Sequence, residues 1–198
     1  MNASLTEEIA ATAARWVVED GLEYGLAKRR AIKDLGLPPR TALPSNEQVE
    51  SAVRSYLDLF CADTQPQELR VLRRLARLWM QRLKPFRPHL SGAVWRGTAT
   101  RNSDIYLQLF CDDPKSAEIH LIDQNIRYEV STIAGFHGEP VDALSLSVPS
   151  NELAQSVWIH LMIYDHDDVR GALKPDSQGR TDRKSTRLNS SHIPLSRM

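Results

Sequence analysis

Asp104 and Tyr106 stand two residues apart in the run Ser103-Asp104-Ile105-Tyr106-Leu107-Gln108-Leu109-Phe110. Ile105, Leu107 and Leu109 alternate, which predicts a strand with Asp104, Tyr106 and Gln108 together on its other face. Two carboxylates at that spacing can hold a pair of Mg²⁺ ions, which stabilise the attacking and leaving oxygens of an in-line displacement. Asp104 fills the first position. Tyr106 does not fill the second, because a phenol is neutral at cellular pH and is a poor Mg²⁺ ligand. Just upstream, Gly92 and Gly97 would let the backbone approach a phosphate closely. Arg96 and Arg101 add positive charge there.

Two later acids sit in strand-like runs. Glu129 alternates with Arg127 and Ser131, the pattern of a solvated face. Asp142 falls in step with Leu144, Leu146 and Val148, an apolar set where an unpaired carboxylate is costly. Asp165-His166-Asp167-Asp168 has metal-binding residue types, but four polar residues after a strand also make an ordinary turn. Arg70, Arg73, Arg74 and Arg77 form a stripe on one helix flank. It suits nucleic acid or a triphosphate, and equally the solvated back of an amphipathic helix. His89, His120, His137 and His160 are scattered, with no Ser or Cys grouping that suggests a triad. The sequence holds no Gly-x-x-x-x-Gly-Lys-Ser/Thr phosphate loop.

The charge totals balance, with 25 Lys and Arg against 25 Asp and Glu, yet the two signs are segregated. Residues 65–103 carry nine Lys/Arg and one acid, Glu68, whereas residues 104–181 carry thirteen acids and five Lys/Arg. A basic helix leading into an acidic sheet suits an anion bound beside carboxylates. Cys61 and Cys111 lie in apolar periodic segments without metal-ligand spacing and read as reduced thiols, which makes the cytoplasm the expected compartment. No apolar run approaches the ~18 residues of a spanning helix, and no signal-peptide segment is evident.

The elements that must position these groups change character near Pro88. Ser4-Leu5-Thr6-Glu7 and Ser45-Asn46-Glu47-Gln48 are capping boxes, each opening a helix with apolar residues at helical spacing. Gly21 ends the first helix, a second is expected over 24–35, and Thr64 with Gln67 opens a fourth that Pro85 and Pro88 close. Beyond Pro88, strands are expected over 105–110, 117–122, 127–133, 141–148 and 157–164. Four helices followed by a mostly antiparallel meander make an α+β fold. The expected domains are a helical region over 1–64 and a sheet domain over 65–181.

The stretch Leu90-Ser91-Gly92-Ala93-Val94-Trp95-Arg96-Gly97-Thr98-Ala99, with Ser103-Asp104-Ile105-Tyr106, resembles the signature of the DNA polymerase β-type nucleotidyltransferase superfamily. That signature is an apolar residue, Gly-Ser, an Arg/Gly-rich turn, then Ser-Asp-Ile-Asp. Ala93 stands where Ser is usual, and Tyr106 where the second Asp is usual. The resemblance implies a nucleoside triphosphate held by Gly92, Ala93, Arg96, Gly97, Arg101 and Ser103. It also implies Mg²⁺ on Asp104 and on a third carboxylate from a later strand, with Asp142 preferred, Glu129 as the alternative and Asp112 as a further nearby acid. A nucleotide-binding protein with weak or absent transfer is the first expectation. A working Mg²⁺-dependent transferase using Asp104 and Asp142 is the second. The third is a non-enzymatic regulatory module that binds nucleic acid or protein through the basic helix.

The helical region is also similar to that of uncharacterised bacterial nucleotidyltransferase-like proteins, some labelled UDP-N-acetylmuramate–alanine ligase. A ligase of that kind needs a phosphate loop and several domains. The run from Asp182 to His192 resembles a translated sequencing adapter, so residues 182–198 are expected to be a tail outside the fold.

Overall fold

The computed structural model describes residues 4–134, 140–165 and 184–185. Two units emerge along the chain, one of Met1–Leu72 with Gly97–Asp104 and one of Arg73–Arg96 with Ile105–Met198. The helical region expected over 1–64 thus takes in the start of the fourth helix and the loop 97–104.

In the first unit, helix α1 (Leu5–Asp20) opens on the Ser4 capping box. The Ser4 hydroxyl accepts from the Glu7 N–H, and the Glu7 carboxylate accepts from the Ser4 N–H at 2.8 Å. Gly21 ends it in the left-handed region at φ 68° and donates its N–H to the Trp16 carbonyl. Helix α2 (Tyr24–Asp34) follows. Helix α3 (Asn46–Phe60) opens on the Ser45–Gln48 box. Both α2 and α3 pack on α1. Their shared core is Ile9, Ala13, Ala14, Val18, Ala27, Ala31, Val49 and Val53. Alanines supply much of the α1 and α2 faces, and the larger side chains Trp16, Leu22, Tyr24 and Leu35 pack around them. Helix α4 (Gln65–Arg82) begins after Thr64, as its spacing predicts.

In the second unit, α4 ends at Arg82, and a single 3₁₀ turn at Lys84–Phe86 leads into strand β1 (His89–Ser91). Helix α5 (Gly92–Arg96) and strand β2 (Ile105–Cys111) follow. Then come helix α6 (Pro114–Asp123) and strands β3 (Glu129–Ala134), β4 (Pro140–Ser150) and β5 (Gln155–Asp165). A two-residue strand β6 (Lys184–Ser185) completes a six-stranded sheet of order β3-β4-β5-β2-β1-β6. The sheet is mixed: β2 runs parallel to β5, and every other pairing is antiparallel. The α+β class and the β3-β4-β5 meander agree with the sequence pattern.

Residues 117–122 form a helix, not the expected strand. The Ala-Glu-Ile-His-Leu-Ile alternation suggested period two. The deciding signals lie just before it, where Asp113 caps the helix through its carboxylate to the Lys115 N–H and Pro114 takes the first helical position. Ala117 and Leu121, four apart, are the buried positions, while Ile119 and Ile122 face solvent. The tail expectation meets β6, which pairs with His89 and Leu90 of β1. The rest of 182–198 lies outside the described residues, as do His137 and 166–168. Among the described residues no helix is long and apolar enough to cross a membrane.

Candidate functional site

Within the second unit the strand registers place Ser91, Tyr106, His160, Ser145 and Glu129 side by side across five strands. Directly paired residues point to the same face, so this row is one surface of the sheet. Ile105, Leu107 and Leu109, with Ile159 and Leu161 beside them, fill the opposite face and are wholly buried. The half-buried Tyr106 ring stacks on the His160 imidazole, with centroids 4.9 Å apart and 27° between the planes. His160 is fixed in turn by the Ser145 hydroxyl, whose oxygen lies 2.8 Å from Nδ1. Trp158, two residues earlier on β5, lies nearly parallel to the His160 ring at 6.5 Å and 9°.

On its β1 side, Tyr106 meets the start of α5. Gly92 has φ 69°, and a Cβ added there would lie 3.2 Å from Tyr106 Cδ2. The positive φ favours glycine, and a Cβ would also crowd the ring beside it. The Ser91 hydroxyl donates weakly to the Tyr106 carbonyl at 3.4 Å. Ala93 and Arg96 on α5 are half-buried.

The loop after α5 groups with the helices of the first unit. Gln65 of α4 donates through Nε2 to the carbonyls of Gly97 at 3.0 Å and Ala99 at 2.9 Å. Glu68 accepts the Arg101 N–H at 2.9 Å. The Ser103 hydroxyl accepts the Thr100 N–H, and the Thr100 hydroxyl donates to the Val18 carbonyl. Asn102 donates to the Glu19 carbonyl at 2.7 Å. Thr98, Ala99 and Thr100 are buried. Two residues expected at a phosphate, Arg101 and Ser103, thus have their backbone N–H and hydroxyl, respectively, bonded to partners inside the loop's own unit. Asp104 closes this loop and is half-buried.

The candidate carboxylates of the second unit are dispersed. Asp142 is on β4, and β5 lies between that strand and β2. It is an odd number of residues from Ser145, so it emerges on the face opposite Tyr106 and His160, and it is exposed. Its apolar neighbours Leu144 and Leu146 are buried on that face, as its spacing predicted. Glu129 shares the Tyr106 face but stands three strands away, exposed at the sheet edge. Asp112 lines a separate cavity of about 280 Å³ with Phe86, Arg87, Phe110, Cys111 and Asp113, at the far end of β2. Among the described residues no three His, Cys, Asp or Glu side chains cluster as a metal site.

The basic stripe is partly committed to the protein itself. Arg73 donates through Nε to the Val94 carbonyl at 3.2 Å and reaches the Trp95 carbonyl at 3.5 Å. Burial against α5 lowers its guanidinium pKa. Arg74 pairs with Glu152, and Arg70 donates to the Pro66 carbonyl. Both cysteines are free thiols, with Cys111 buried and Cys61 half-buried. Burial is the main reason that both thiols titrate above their ordinary value.

The sequence reading missed His160 and Ser145 as neighbours of Tyr106, and Gln65 and Arg73 as supports of the signature. Strand alternation does put His160 and Trp158 on one face of β5. Nothing local reveals that β5 lies beside β2.

No protein-family model and no curated protein matches the chain. Among solved structures, the Cid1 poly(U) polymerase with MgGTP bound aligns with 49% of this chain and 32% of that one, at 17% identity and a TM-score of 0.35. Cid1 in complex with the UTP analogue UMPNPP aligns with 49% of this chain and 30% of that one, at 20% identity and a TM-score of 0.33. A cytoplasmic RNA terminal U-transferase aligns with 54% of this chain and 34% of that one, at 18% identity and a TM-score of 0.35. The chain spans about a third of the length of these structures.

Proposed function

We propose that this chain is a nucleotidyltransferase-like protein that binds a nucleoside triphosphate through the 92–103 segment and transfers little or no nucleotide. The signature-like run from Gly92 to Tyr106 supports the nucleotide reading, with Gly92, Ala93, Arg96, Gly97, Arg101 and Ser103 as the binding segment. The observation that carries the loss of transfer is the Tyr106–His160 stack. Where a second metal carboxylate would stand, an aromatic ring is packed between strands, and its lateral neighbour is an imidazole tied to Ser145.

The residues of this face do not suit a pair of Mg²⁺ ions. Hard cations of that size require convergent oxygen ligands, and Asp142 leaves the sheet on the other side. No step through a metal is therefore assigned, and Asp104 is left as the one signature carboxylate. Calorimetric titration of ATP and UTP with and without Mg²⁺, alongside a pyrophosphate-release assay, tests this reading. Binding is expected with little Mg²⁺ dependence and without pyrophosphate. Mg²⁺-dependent pyrophosphate release by the unaltered protein would overturn the proposal in favour of an active transferase. Absence of any binding would overturn the nucleotide reading itself.

A further inference from the structure

We infer that α4 is the positioning element for the nucleotide segment, with Gln65 and Arg73 as its positioning residues; this rests on the nucleotide-binding reading above. The segment from Gly92 to Ser103 has little regular structure of its own, with one five-residue helix and a loop. Its backbone carbonyls therefore need partners from elsewhere. In the first unit, Gln65 is 9% exposed, and its amide donates to two loop carbonyls, Gly97 and Ala99. An amide nitrogen carries two hydrogens, so this geometry uses its whole donor capacity. One helical turn on, Glu68 holds the Arg101 N–H.

In the second unit, Arg73 performs the corresponding task for α5. Its guanidinium donates to the carbonyls of Val94 and Trp95, near the C-terminal end of that short helix. Much of the Arg73 side chain remains in solvent, but the end that touches α5 is desolvated enough to lower its pKa. Fixing the segment beforehand removes the ordering cost that a ligand would otherwise bear, so losing these bonds weakens binding without deleting a ligand contact.

Gln65→Glu keeps the side-chain shape and turns the donating nitrogen into an oxygen facing two carbonyls. Hydrogen exchange followed by mass spectrometry should show about tenfold faster exchange across residues 97–103, with α1 and α3 unchanged. ATP binding at neutral pH should weaken by a similar factor. Both effects should recede as pH falls, because a protonated carboxyl can donate one of the lost bonds, and the unaltered protein should lack that recovery. Arg73→Lys, at an exposed position, should speed exchange over residues 94–97 and weaken ATP binding while leaving overall unfolding nearly unchanged. Unchanged exchange in both variants refutes the positioning role even if ATP binds. Accelerated exchange in a protein that binds no ATP keeps the positioning role and refutes the nucleotide reading. Should Gln65→Glu fail to fold, Arg73→Lys decides the question by the same two measurements.

Discussion

Tyr106 and His160 face each other across the parallel β2–β5 pair, in register and ring on ring, with centroids 4.9 Å apart. Ser145 holds the imidazole from the next strand, and Gly92 gives the phenol ring room on the β1 side. A position that resembles a metal-binding carboxylate thus contributes packing. Stacked and β-branched cross-strand pairs each add about 0.2–1 kcal/mol to a sheet, so Tyr106 has a structural use that an aspartate would lack.

Replacing that ring tests both roles. Tyr106→Phe keeps the stack and should leave stability and ATP affinity close to those of the unaltered protein. Tyr106→Asp should lower stability by about 1–3 kcal/mol through the lost packing. It should also introduce a Mg²⁺ dependence of ATP binding that was absent before, by restoring a carboxylate two residues from Asp104. Denaturant titration and calorimetry read the two effects separately. If the unaltered protein binds Mg²⁺-ATP tightly and Tyr106→Asp weakens it, Tyr106 is a ligand contact and the proposal of a lost metal carboxylate at this position is wrong.

Gly21 and Gly36 offer a matched comparison in the helical unit. Both have positive φ, 68° and 65°. An added Cβ at Gly21 would lie 2.1 Å from the Asn102 carbonyl oxygen, whereas at Gly36 nothing lies within 4 Å. Gly36→Ala should cost about 1–2 kcal/mol, the left-handed penalty alone. Gly21→Ala should cost clearly more, because the loop carrying Asn102 must move. Equal losses for the two variants in urea unfolding would contradict the close approach of α1 and this loop.

Tyr56 donates to the Glu19 carboxylate at 2.6 Å. That bond, with some burial and the negative charge of Glu19, pushes the phenol pKa up to about 12. The folded value lies above the unfolded value near 10. The resulting stability is therefore complete below pH 10 and is lost as pH rises from 10 through about 12. Phenolate absorbance should show one tyrosine titrating late, and Glu19→Gln should bring it earlier. A Tyr56 titration unchanged by that substitution would falsify the pairing.

Lys28 behaves in the opposite sense. It is 7% exposed and donates to Asn46 Oδ1 at 2.6 Å. Burial lowers its ammonium pKa. Because the folded pKa is below the unfolded one, the unfolded chain binds the proton more tightly. Stability should then rise with pH from the lowered folded value up to the ordinary value of 10.5. Lys28→Met should remove that rise and be near neutral or slightly stabilising at pH 7, since the apolar stem still packs and no charge is buried. A pH-stability curve that keeps the same slope in the variant would assign it to another group.

Local residue patterns were enough to specify helices α1 to α4 and most of the strands. The Ser4 and Ser45 boxes and the Gly21 stop act over three or four residues, so nearby composition places them. The alternation of Ile105, Leu107 and Leu109, which puts Tyr106 on the other face of β2, was legible for the same reason. Contacts between distant segments decided the rest. The helix over 117–122 is the exception, since its start is set locally by Asp113 and Pro114, with Ala117 and Leu121 buried four apart. His160 came beside Tyr106 because β5 pairs with β2, and the β4–β5 register lines Ser145 up with them, which puts Asp142, three residues away, on the opposite face. Lateral strand order comes from hydrogen bonds between segments far apart in sequence, which alternation within one strand does not encode. The loop 97–104 likewise joined the helices through Gln65, Glu68, Val18 and Glu19. Its own residues specify a turn, and only those distant partners fix where its amides and carbonyls are satisfied.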